Sequence, residues 1–284
     1  MTYSELESSR ARGRPAELYY FRYGSDPAAF FAYTDVEAPI TYDGVVYNPI
    51  PIKRGGVVSQ GSLDKTRLSV KVPLSSEIAE LFRVYPPGQV VTLRIRGGHL
   101  TDEDSEFPVV WVGRVLQCSR DNANGPEGDL SCEPSSTSMR RVGLRRHYQL
   151  SCPHVLYATG DNLCNADKLA ATTNVVVSSV SYTGVTLPGG WFGSIDSKKY
   201  VGGLLTWQTA TIREQRTILR VPTPTTLVLA GPTIGLLAGA TVEVILGCNH
   251  QTDDCQTLHD NILNYGGQPT IPLKNPIRTN PFTT

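Results

Sequence analysis

Four of the six cysteines of this chain stand in two pairs whose spacing could do chemistry. Cys152 and Cys164 are twelve positions apart, and Cys248 and Cys255 are seven apart. A β-rich stretch of roughly 75 residues, enough for a small domain, separates the pairs. Two short cysteine loops held apart by a folded unit predict one shared four-thiolate site, closed only when the chain has folded. Zinc and an iron–sulfur cluster both accept four thiolates. Structural zinc commonly uses knuckles of about two to four intervening residues. Here the gaps hold eleven and six, which favours a cluster and leaves zinc as the alternative.

A plainer reading makes each cysteine a small buried apolar residue. It suits Cys118 and Cys132, which lie on expected strands at equal distance from Gly125. They are expected to face each other as core neighbours, pointing the same way as Leu116 and Leu130. It fits the other four poorly. Ser151-Cys152-Pro153-His154 and Gly247-Cys248-Asn249-His250 are polar and loop-like, with little for an apolar side chain to pack on.

His154, His250 and His259 lie near the cysteines, so a Cys/His nucleophilic pair is formally available. No group is spaced to orient it. The chain has no G-x-S-x-G, no P-loop and no H-E-x-x-H, and Gly189-Gly190 and Gly202-Gly203 read as turns. No catalytic residue is expected, and the protein is not expected to be an enzyme. Arg140, Arg141, Arg145 and Arg146 precede Cys152. They offset the negative charge of a thiolate site, or they form a solvated loop.

The elements that must position these residues are mostly strands. Of 284 residues, 26 are Gly and 20 Pro, a share that favours short strands and many turns. Formal net charge is zero, so no global field draws the chain to nucleic acid or to an anionic membrane. The sequence has no apolar run long enough to cross a membrane and no signal peptide. Synthesis in the cytoplasm, with reduced thiols, is therefore expected. A polar helix is expected over Tyr3 to Arg10, with Ser4 and Glu7 at capping-box spacing and little apolar surface to fix it.

Strands are expected over Glu17–Tyr23, Phe30–Thr34, Leu68–Val72, Val90–Arg96, Val109–Cys118 and Asp129–Glu133. Asp43-Gly44 marks a hairpin, Ser75 or Ser76 caps one short helix, and Asn124-Gly125-Pro126 forms a turn. A second β stretch runs over Val175–Val180, Leu204–Trp207, Thr217–Val221, Thr226–Leu229 and Val242–Leu246. The expected organisation is a β domain over 1–150, a first cysteine segment over 151–172, an inserted β domain over 173–246, and a second cysteine segment with a Pro-rich tail over 247–284.

Several landmarks together resemble the tail-tip hub proteins of long-tailed bacteriophages and gene transfer agents, the group that includes minor tail protein L of lambda-like phages. They are Ile40-Thr41-Tyr42-Asp43-Gly44-Val45-Val46-Tyr47-Asn48-Pro49, then Cys152…Leu156-Tyr157…Cys164, then Gly247-Cys248…Cys255. Asn264-Tyr265-Gly266-Gly267-Gln268-Pro269…Ile271-Pro272 completes the set. Tyr265, Gly267 and His250 depart modestly from the family pattern, and none of these departures touches the cysteines. The resemblance implies a mainly β fold with a baseplate-hub-like N-terminal domain. It implies a [4Fe–4S] cluster on Cys152, Cys164, Cys248 and Cys255. It also implies a homotrimeric ring in the virion's tail tip, between the distal tail protein and the central tail-tip or fibre hub protein, with neither sequence-specific nucleic-acid binding nor membrane contact. The other reading is a cytoplasmic iron–sulfur or zinc protein with redox or hydrolytic activity.

Overall fold

The computed structural model describes residues 3–9, 12–57, 67–83, 86–120, 125–140, 147–209 and 212–272. The chain divides into two compact units, Met1–Arg141 and Val142–Thr284. Both are built mainly of strands. The expected first boundary was 150, and the three expected segments beyond it all fall in the second unit. Arg141, Arg145 and Arg146, Asn124, and the tail beyond 272 lie outside the described residues, as does the side chain of Arg140.

In the first unit, β1 (Pro15–Tyr23), β2 (Phe30–Thr34), β3 (Ile40–Tyr42), β4 (Val45–Pro49) and β5 (Lys53–Arg54) precede β6 (Leu68–Pro73). β7 (Val91–His99), β8 (Val109–Ser119) and β9 (Glu127–Pro134) follow. They form one nine-stranded sheet in the order β3-β4-β2-β1-β7-β8-β9-β6-β5. The β1–β7 pairing sets Tyr19 opposite Ile95 and Phe21 opposite Leu93, so directly opposed side chains share a face. All four are buried. The other face of β1 buries Ala16 and Leu18 against Ala32, Tyr47 and Phe107. Asp43 and Gly44, both at positive φ, turn β3 into β4, as a type I′ connection requires. The helix α2 (Glu77–Leu81) is capped by Ser76, whose hydroxyl accepts from the Ala79 amide.

Two expectations are corrected here. The first helix, α1 (Tyr3–Glu7), is shorter than expected and does have an apolar anchor. Leu6 is 2% exposed, Tyr3 packs on the His99 ring, and Glu7 pairs with His99. Cys118 and Cys132 do not face each other. An irregularity between Val115 and Gln117 shifts the β8–β9 register, setting Cys118 opposite Leu130 and Cys132 opposite Val115. An extra residue in one strand displaces every later partner by one position. Cys132 is fully buried, Cys118 only partly, and Leu116 is exposed while Leu130 is buried.

In the second unit, β10 (Thr172–Val176), β11 (Ser179–Val180), β12 (Gly184–Thr186), β13 (Leu204–Gln208), β14 (Arg213–Thr223), β15 (Thr226–Leu229) and β16 (Thr241–Ile245) form a seven-stranded sheet. Its order is β10-β16-β13-β14-β15-β12-β11. The core holds Val185, Leu187, Trp191, Tyr200, Leu205, Trp207, Ile218, Leu227 and Val244. The first and last strands, β10 and β16, pair antiparallel, Thr172 opposite Ile245. The sheet therefore begins and ends side by side, and the two cysteine segments emerge from that common edge. No helix among the described residues is long and apolar enough to cross a membrane.

Candidate functional site: a four-thiol cavity

The second cysteine segment leaves β16 where two stretches of the chain cross closely. The Leu246 amide donates to Ala171 and the Gly247 amide to Lys199. A side chain at Gly247 would start 2.0 Å from the Val201 carbonyl oxygen, so only glycine lets the chain pass there to Cys248. Asp254, buried at the start of α3 (Thr252–Thr257), then fixes the turn. One carboxylate oxygen accepts from Lys199 Nζ at 2.5 Å and the other from the Asn249 amide at 3.1 Å. The hydrogen bond to Asp254 raises the Lys199 pKa above its ordinary value. This pair ties the helix carrying Cys255 to the 3₁₀ turn Ser197–Tyr200.

The first cysteine segment is shaped by its own polar groups. Asn165 closes the loop, its side chain accepting from the Gly160 amide at 2.9 Å and donating to the Gly160 carbonyl at 2.9 Å. Tyr157 adopts the left-handed conformation, with φ 61°, uncommon for a bulky residue and tolerated where surroundings hold it. Its hydroxyl donates to the Leu246 carbonyl at 2.7 Å, and its ring meets His259 edge-on. The two segments are also joined directly, by the Cys152 amide donating to the His250 carbonyl at 2.8 Å.

The result brings together all four cysteines that the spacing singled out. Cys152, Cys164, Cys248 and Cys255 line one cavity with His154, His250, His259, Asn261 and Asn264. The space free of protein atoms is about 330 Å³, open solvent at the mouth included. Among the described residues, no three Cys, His, Asp or Glu side chains converge closely enough to hold one metal ion. The thiols bound a space; they do not meet at a point. Burial pushes the Cys255 thiol up to about 11 and raises Cys248 as well, with the neighbouring cysteines adding to both.

The tail of the site depends on a second glycine. The Gly266 amide donates to Cys152 Sγ at 3.4 Å, and a side chain there would begin 2.5 Å from His154 Nε2. The Tyr265 hydroxyl donates to the Leu150 carbonyl at 2.7 Å. The histidines are thus part of the wall. Cys118 and Cys132 belong to the first unit's sheet and have no place in the cavity.

Lys199, Asp254 and Asn261 escaped the reading of the sequence. The Asp beside Cys255 carries a local signal, since acids favour the first turn of a helix. Nothing local marks Lys199, which sits 55 positions from its partner.

Comparison with known proteins adds three findings. Residues 198–275 match the family described as phage conserved hypothetical protein BR0599. The match takes in Lys199, Cys248, Asp254, Cys255 and Asn261. An uncharacterized protein of Xylella fastidiosa (strain 9a5c) is 24% identical over 176 residues, 58% of this chain and 35% of that protein. The chain thus spans about a third of the length of this relative. The fold is that of a chain in the virion of native gene transfer agent (GTA) particle, at TM-score 0.77 and 18% identity, over 99% of this chain and 96% of that one.

Proposed function

We propose that this chain is a structural subunit of a phage-type virion, a tail-tip hub protein, and that its four cavity cysteines hold one iron–sulfur cluster of the [4Fe–4S] kind. The observation that carries the virion role is the likeness in fold, end to end, to a chain of the gene transfer agent particle. The match of residues 198–275 to a phage family supports it from sequence. In this reading three copies ring the tail axis. They link the distal tail protein to the central tail-tip or fibre hub protein, and the role is not enzymatic.

The four cysteines lining one cavity support the cluster reading. Four thiols surround a cavity without converging on one centre. A single tetrahedral zinc would draw all four sulfurs to about 2.3 Å from one point. Four sulfurs spread around a space would suit a [4Fe–4S] cluster, with Cys152, Cys164, Cys248 and Cys255 as its ligands. When bound, the cluster supplies a crosslink between segments roughly 100 residues apart, which restricts the unfolded chain. The protein's own groups hold the sulfurs in place and restrict water's approach.

Assembly is favoured by the surface of the second unit. Tyr148, Val155, Leu169 and Leu263 are between 74% and 97% exposed, apolar area that burial against other chains would remove from water. The test is a reconstruction of the tail tip of particles that carry this chain. Three copies around the axis are expected. One copy, or six equivalent copies, would overturn the hub assignment.

A further inference from the structure

Asn261 is 8% exposed and meets two of the four cysteines from opposite halves of the site. Its side-chain amide donates to the Cys164 carbonyl and reaches Cys164 Sγ at 3.8 Å, across 97 positions of sequence. Its main-chain amide donates to the Cys255 carbonyl at 2.9 Å. Its own carbonyl accepts the Cys255 thiol at 3.2 Å. The orientation of the side chain is set by Asn264, whose amide donates to Asn261 Oδ1 at 2.6 Å. With Oδ1 so engaged, Nδ2 is the end turned to Cys164.

Two other sulfurs also receive N–H groups. The His250 amide donates to Cys248 Sγ at 3.3 Å and the Gly266 amide to Cys152 Sγ at 3.4 Å. These two donors belong to the backbone and no substitution removes them simply. Asn261 supplies the side-chain donor of the set, and its contact with Cys164 Sγ is the longest of the three.

We propose that Asn261 is a positioning residue of the thiol site: it clamps Cys164 to Cys255 and, through its side-chain N–H, sets the reduction potential of the group they hold. The potential part rests on the cluster reading above; the clamp does not. A hydrogen bond to a ligating sulfur withdraws charge and stabilises the reduced state, so donors raise the potential. Removing the donor lowers it. Removing the clamp frees Cys164 to move away from Cys255.

The experiment compares Asn261→Asp and Asn261→Ala with the unsubstituted full chain. Asp has the shape of Asn but no N–H to give. Three quantities are read: iron retained after anaerobic chelation, the midpoint potential by spectroelectrochemistry, and the rate at which iodoacetamide alkylates Cys164 in metal-free protein. Far-UV circular dichroism checks the fold. Iron affinity should fall about 10- to 100-fold in both variants, the usual effect of losing a ligand's supporting partner. The potential of the cluster remaining in Asn261→Ala, which removes the N–H without adding a charge, should be more negative, and Cys164 should be alkylated faster in both. An unchanged potential with unchanged iron retention and alkylation would overturn the proposal. If the unsubstituted protein holds no iron, the cluster reading fails, and the alkylation rate alone decides the clamp. An unaltered rate then sinks it.

Discussion

The second unit contains two regions held together by different physics. The seven-stranded sheet is an ordinary apolar core, with Trp207, Tyr200, Leu205 and Ile218 at most 2% exposed. The thiol loops have almost no such core. Between 247 and 272 the buried side chains are Asp254, Cys255 and Asn261, and between 147 and 168 they are His154 and Ala166. The first region gains its stability by removing apolar area from water. The second relies on polar groups that satisfy one another and, in the proposed state, on a crosslink through metal. The shared edge at β10 and β16 joins them, so a rigid sheet presents two loops that cannot fold well alone.

Removing the crosslink separates the two regions most strongly. Cys164→Ser or Cys255→Ser should lose the iron and destabilise the loops by about 5 kcal/mol, the size expected for a link closing a ~100-residue loop. Hydrogen exchange should place the loss in 147–168 and 247–272, with the amides of β13 and β14 still protected. Uniform loss across the sheet would mean the regions are not distinct.

Trp207→Ala is the opposite experiment. It should cost about 3–5 kcal/mol, seen as a lower thermal midpoint whether or not iron has been chelated first. A penalty that appears only with iron bound would contradict the division.

The sheet and the loops also differ in how far the sequence reveals them. The Asp43-Gly44 hairpin and the strand Thr226–Leu229 are legible because turn chemistry and alternation are local. β14 is longer than its apolar run suggests. Its extra part buries Glu214 and Arg216, about 5% exposed and paired at 2.6 Å, and buried charges disguise the period of a strand. The four cysteines are legible from spacing and context. The register of Cys118 and Cys132 is not legible, because the irregularity near Leu116 has no Gly or Pro beside it to announce it. Asn261 is invisible in sequence for a different reason: its meaning lies in contacts with Cys164 and Cys255, and the former exists only once the fold is made.

A smaller effect sharpens the glycine dependence of the thiol site. Gly266→Ala sets a methyl against the His154 ring and should cost about 1–3 kcal/mol, as overpacking does, with weaker iron retention. The same change at Gly189, where a side chain meets nothing within 4 Å, should leave iron unaltered. Equal behaviour of the two variants would show that the close approach at His154 carries no weight.

The smallest effect belongs to Cys132. Burial raises its thiol from 9.0 to about 12, so the folded state keeps the proton longer than the unfolded state does. The stability this confers is present below about pH 9 and is lost as pH rises towards about 12. Cys132→Ala should flatten the decline of stability across that window, measured by urea melts, and leave iron content unchanged. Loss of iron in this variant would move the ligand set into the first unit.

On the proposed reading the four thiols hold a [4Fe–4S] cluster. Protein purified without air should be brown, with a broad violet-blue absorption band and with iron and acid-labile sulfide in equal amounts, all lost together in Cys164→Ser. A colourless protein carrying zinc, or one with no metal while its thiols are fully reduced, would contradict it.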